Sequence, residues 1–95
     1  MLSPDATSQL VSSFGITVRQ LRQGQGWSQE ALAERANLNR SYVGELERGQ
    51  AIPSLLTLKK LAMSLDMSLS HLMAHTEQMA QTRLVRDIKL MAIAS

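Results

Sequence analysis

His71 and His75 stand four residues apart in a stretch of helical pattern. That spacing brings two imidazoles to one side of a helix, within reach of a single metal ion. No Cys or carboxylate completes a plausible ligand set nearby, so no metal is expected. Glu45 and Glu47 are two apart and face different ways on a helix, which argues against a paired-carboxylate active site. No glycine-rich phosphate loop follows a strand, and no Ser–His–Asp arrangement is suggested. With no Cys in the chain there is no thiol nucleophile, no zinc finger and no disulfide scaffold. Neither catalysis nor a cofactor is expected.

The elements that would position them are clearest at residues 29–48, QEALAERANLNRSYVGELER. This stretch suffices for two short helices joined by a tight turn. Leu32, Ala33 and Ala36 fall on one face of the first, and Val43 and Leu46 on one face of the second. Leu38 sits between them, where it can plug the angle, and Ala33 is small where two steeply crossing helices come closest. Asn37 stands where the first helix must stop in a residue of positive φ, which Asn tolerates better than most. This is the pattern of a helix-turn-helix, a device for laying one helix in the DNA major groove.

Around that pair the chain reads as helices throughout. Ser3-Pro4 opens helix one as cap and first helical residue. Leu10, Val11, Phe14, Val18 and Leu21 then recur at helical spacing to about Gln23. Gly24-Gln25-Gly26 stops the helix, Trp27 follows, and Ser28 caps helix two. Asn39 caps helix three, which Gly49 ends. Ser54 caps helix four, with an apolar stripe of Leu55, Leu58, Leu61, Ala62 and Leu65, and Asp66 takes the position after it. Ser68 caps a helix carrying Leu69, Leu72 and Met73. From Thr76 the pattern becomes separate, with Ala80, Leu84, Ile88 and Met91 on one face. Arg83, Arg86, Asp87 and Lys89 lie largely opposite. With no alternating strand pattern, the expected fold is all-α.

The 95 residues make one small domain. Hydrophobic residues at 44% against 19% charged describe a globular chain and not a disordered one. No apolar run approaches the roughly 20 residues that span a bilayer, and no basic-then-apolar signal pattern opens the chain, so a cytoplasmic location is expected. A net charge of +2 is weak evidence for nucleic acid; charge placement matters more.

Residues 14–75 resemble the DNA-binding domain of the phage repressor and Cro (XRE-like) family of regulators. The resemblance rests on Leu21-Arg22, Trp27-Ser28-Gln29 with Leu32-Ala33, Tyr42-Val43, Glu47-Arg48-Gly49, and Pro53-Ser54 followed by Leu58. It implies a five-helix repressor-like bundle, preceded by residues 1–13 as an arm or start of helix one. Residues 76–95 then form an additional amphipathic C-terminal helix outside the shared core. The same resemblance implies residue roles. Arg40, Ser41 and Glu45 would read base edges, Arg40 by bidentate contact with guanine and Glu45 by accepting from a cytosine amino group. Gln29, Asn39 and Ser28 would position the protein on phosphates, helped by the helix-two amides. Arg22 and Glu47 would form a buried salt bridge. An i,i+3 pairing with Arg48 explains Glu45 equally well, and Asn39 and Ser41 have a local capping alternative. The family's basic residues after helix three are missing here, since Gln50-Ala51-Ile52 offers none. Gly44 costs the recognition helix about 1 kcal/mol relative to Ala.

The C-terminal stripe of Leu84, Ile88 and Met91 either closes its own bundle or pairs with a second chain, and the dimer is favoured. Two half-sites about 34 Å apart are how such modules gain affinity and specificity. The expected function is a homodimeric transcriptional regulator on a near-palindromic operator of double-stranded DNA, a repressor in the family's manner. An antitoxin that also neutralises a toxin remains open, as does a polymerase partner. So does a protein-interaction module that has lost DNA contact.

Overall fold

The structure, a computed structural model, describes residues 4–94, with side chains from residue 6 onward. Ser3, the expected cap of the first helix, lies outside the described residues. The helices are α1 (Pro4–Gly24), α2 (Gln29–Ala36), α3 (Arg40–Glu47), α4 (Leu55–Ser64) and α5 (Leu69–Ala94). Among the described residues there is no strand.

Local chemistry fixes where these helices start and stop. Ser28, Asn39, Ser54 and Ser68 each accept a backbone N–H of the following turn, at 3.0, 2.8, 3.1 and 3.0 Å. Each thereby satisfies one of the amides a helix start leaves without a partner. Four helix ends share one geometry. Gly26, Asn37, Gly49 and Asp66 take positive φ. After each, the next N–H reaches back five residues: Trp27 to Arg22, Leu38 to Ala33, Gln50 to Glu45 and Met67 to Ala62, at 2.8–3.2 Å. This is the Schellman ending, and it carries a hydrophobic residue just past the turn. Trp27, Leu38 and Met67 fill that role, each packing against the core.

The core is one cluster drawn from every helix: Phe14 and Val18, Leu32 with Ala33 and Ala36, Val43 and Leu46, Leu61 with Ala62, then Leu65 and Leu72. Leu55 and Leu10 of the expected stripes stand well outside it. Leu55 is 72% exposed and Leu10 is 40% exposed. Helical period marks a stripe, but the stripe runs off its neighbours at the first turn of α4 and early in α1.

The expected separate helix after Thr76 is instead the continuation of α5, 26 residues without a break. No Gly or Pro interrupts it. Thr76 is fully buried and turns its hydroxyl back to the Leu72 carbonyl at 3.1 Å, so it belongs to the helix interior. Further on, Arg83 Nη1 donates to the hydroxyls of Ser12 and Ser13 at 3.2 and 3.0 Å, tying α5 to α1. From Leu84 onward the side chains are exposed.

α1 passes between α5 and the far end of α3, and small residues let it. A Cβ built on Gly15 would meet the Leu46 carbonyl O at 2.4 Å and the Glu47 carbonyl O at 2.7 Å. Gly49 is close as well, since its Cβ would stand 3.2 Å from Ser12 Cα. Both contacts are with backbone, which cannot rotate aside. Gly15→Ala is therefore expected to lower stability by about 3 kcal/mol, the upper range for overpacking a core. A urea titration at fixed protein concentration reads this, and a loss below about 1 kcal/mol would show that α1 can back away at little cost.

Candidate nucleic-acid interface

α3 is eight residues long, two turns that would not hold as an isolated helix. Its rigidity comes from what it packs on. Val43, Leu46 and Glu47 are buried, while Arg40, Ser41 and Glu45 are exposed. Positions 41 and 45 are one turn apart and share a face, with Arg40 beside them at the leading end. Among the described residues none of these three side chains is held by another. The pairing of Glu45 with Arg48 is not formed, because Arg48 Nε donates instead to Gln50 Oε1 at 3.0 Å.

The trailing end is anchored by charge. Arg22 Nε donates to Glu47 Oε2 at 2.7 Å and Arg22 Nη2 to Glu47 Oε1 at 3.0 Å, a two-pronged pair joining α1 to α3. The two side chains are 10% and 1% exposed. Arg22 Nη1 also donates to the Trp27 carbonyl O at 2.7 Å, which fixes the α1–α2 turn. The Trp27 ring in turn lies under the Arg35 guanidinium, 4.3 Å from its centroid. The hydrogen bond to Glu47 holds the Arg22 pKa above its ordinary value, against the opposite pull of burial. A raised pKa in the folded state means this contribution is complete below the unfolded guanidinium's pKa and is lost as pH rises through the folded one. Arg22 therefore adds no pH dependence near neutrality.

Gln29, expected at a phosphate, also has a partner within the chain. Its Nε2 donates to Glu47 Oε1 at 3.0 Å, so one amide hydrogen points inward and braces the start of α2 against the end of α3. One amide hydrogen remains for any other partner. Ser28 and Asn39 spend their oxygens as caps, leaving a hydroxyl hydrogen and an amide N–H₂ group facing solvent. Lys60 Nζ reaches the Asn37 carbonyl at 3.4 Å, and Lys59 is exposed. The sequence reasoning missed the inward turn of Gln29 and the bond from Arg83 to Ser12 and Ser13. Neither has a signal in spacing alone.

His71 and His75 have ring centroids 5.0 Å apart, and among the described residues no three His, Cys, Asp or Glu gather where they could hold a metal. No helix among those residues is long and apolar enough to cross a membrane.

A helix-turn-helix family model matches residues 18–72, which span α2 and α3 and their supports. The chain belongs to this family, the phage repressor and Cro type. Among relatives of this helix-turn-helix chain, the HTH-type transcriptional regulator SutR of Escherichia coli K12 is 39% identical over 61 residues, 64% of this chain and 34% of SutR. The chain thus spans about a third of that curated relative's length. The restriction-modification controller protein C.AhdI from Aeromonas hydrophila superposes with a TM-score of 0.63 at 47% identity, covering 65% of this chain and 94% of that one. The biofilm master regulator SinR, solved in complex with DNA, gives a TM-score of 0.58 at 37% identity over 62% of this chain and 95% of that one.

In this helix-turn-helix, Arg22→Met would leave Glu47 buried with only Gln29 as partner. A loss of about 3–5 kcal/mol is expected, and the double change Arg22→Met with Glu47→Leu should cost less than the single one because no lone charge stays buried. Denaturant unfolding of both variants measures this. A double variant weaker than the single would mean the pair contributes net stability beyond mutual neutralisation.

Proposed function

We propose that this chain is a sequence-specific, non-enzymatic DNA-binding regulator of transcription that acts in the cytoplasm as a homodimer on a near-palindromic operator. The observation that carries this reading is the exposed leading end of α3. Arg40, Ser41 and Glu45 face outward there, on a helix whose other side is locked into the core. A rigid, polar-tipped helix of this length fits the major groove, where side chains at its start reach base edges. The likeness to SinR, which was solved in complex with DNA, supports the same reading.

In this account Arg40 takes guanine O6 and N7, Ser41 contacts a neighbouring base, and Glu45 accepts from a cytosine amino group. Gln29 contributes its remaining amide hydrogen to phosphate, together with the Asn39 amide, the Ser28 hydroxyl and the free N–H groups at the start of α2. The second protomer docks through α5, where Leu84, Ile88 and Met91 are 53, 57 and 72% exposed. An apolar face of this kind on a soluble domain marks a contact surface, and a patch used twice makes a two-fold dimer.

Selection of bound sites from random duplex DNA tests the reading directly, and an enriched inverted repeat is expected. Arg40→Ala should then cost about 1–3 kcal/mol on the selected site and relax preference at one base pair in each half. Equal weakening on every sequence would make Arg40 a phosphate contact. Leu84→Glu with Ile88→Glu is expected to give a monomer by sedimentation. The substitutions leave the buried Leu72 and Thr76 intact, so an unchanged dimer mass would remove α5 from the interface.

A further inference from the structure

Gly44 lies in the middle of α3, where a helix gains nothing from glycine. It is nonetheless buried, and what buries it is informative. A Cβ there would stand 3.0 Å from Arg48 Nη1, 3.7 Å from Arg48 Cζ and 3.5 Å from Gln29 Oε1. The Arg48 guanidinium therefore folds back across the glycine, toward the start of α2, and does not trail off the end of α3. Its Nε is fixed by Gln50 Oε1 at 3.0 Å. Arg48 is exposed, and among the described residues the one ion pair is Arg22–Glu47, so no carboxylate neutralises Arg48.

Its place on the helix is as telling as its charge. Positions 40, 44 and 48 recur every four residues, so Arg48 lies on the same side of α3 as Arg40. Its exposed, unneutralised guanidinium therefore lies beside the start of α2, where the free amides of a helix N-terminus favour a phosphate. The connector after α3, Gln50-Ala51-Ile52, has no cation of its own. We propose that Arg48 binds a DNA backbone phosphate, and that the missing side chain at Gly44 is what allows its guanidinium to lie between α3 and the start of α2. This rests on the DNA-binding reading above.

The test compares wild type, Arg48→Ala, Gly44→Ala and the control Lys59→Ala by fluorescence anisotropy. Each is titrated against random duplex and against the selected site between about 50 and 200 mM salt. Wild type and Lys59→Ala are expected to share one steep salt dependence. Arg48→Ala should be shallower by about 0.9 in log–log slope per protomer, with equal weakening on both DNAs. Gly44→Ala keeps the charge but fills its place, so several-fold weaker binding is expected with a melting temperature no lower than wild type's. Steep wild-type binding with an unchanged slope in Arg48→Ala overturns the phosphate assignment and leaves the DNA reading standing. So does a changed base preference in that variant. Gly44→Ala binding like wild type overturns the role given to the glycine. If wild type itself shows no salt-dependent binding, the DNA reading falls and this inference with it.

Discussion

The orientation of α3 depends on a single constraint, the close approach of α1 to its trailing end. Gly15 and Arg22 lie seven residues apart on α1, two helical turns, so both face α3. Gly15 removes the atom that would hold the backbones apart, and Arg22 then reaches Glu47 with two hydrogen bonds. The contact is steric at one point and electrostatic at the other. Together they restrain rotation as well as distance, because a helix pinned at two places along a neighbour cannot roll without breaking one of them. Gln29 extends the restraint to α2 through the same carboxylate, which accepts three hydrogen bonds in all. A buried charge pair is weak evidence for stability in general, but a carboxylate shared by three helices is well suited to fixing their relative geometry.

Much of this fold was legible in the sequence because its punctuation is local. The caps Ser28, Asn39, Ser54 and Ser68 bond within their own first turn, and Asn37, Gly49 and Asp66 end helices through their own φ. Such features depend only on neighbours in the chain, so spacing reveals them. The Arg22–Glu47 pair spans 25 residues, and here the family resemblance carried what spacing could not. Gly15 passed unnoticed for the opposite reason. A glycine inside a helical pattern announces a cost but never the backbone that will lie against it. Leu55 and Leu10 were misplaced because periodicity marks a face and not the reach of the partner covering it. The amide of Gln29 turned inward toward a carboxylate eighteen residues away, a choice decided by tertiary packing.

α5 shows how a family core and its extension are joined. Up to Thr76 it is part of the bundle, with Leu72 and Thr76 fully buried. The bond from Arg83 to Ser12 and Ser13 carries the helix one further stretch along α1. Beyond it Leu84, Val85 and Ile88 lie along one side of the helix, and each is at least half exposed. An uninterrupted helix sets the direction of that overhang relative to α3 more firmly than a hinged one would. On the proposed reading this matters, because half-site spacing is a geometric quantity and a flexible joint would blur it.

If the chain acts on DNA as proposed, its charge distribution makes a rigid joint useful. The net charge is only +2, and the connector after α3 brings no cation to the backbone. Each phosphate contact adds one counterion's worth of salt-dependent affinity, so a protomer with few of them binds weakly by itself. On the proposed reading, two protomers joined through α5 convert the second encounter into an intramolecular one, with an effective concentration set by how well the spacing of the two α3 helices matches the groove. A rigid helix raises that concentration where the match is good and lowers it where it is not. Weak phosphate attraction combined with a stiff connection therefore shifts the balance from affinity for any duplex toward preference for a spaced pair of sites. In a basic-rich relative with a loose joint, the same α3 would favour tenacity over selectivity.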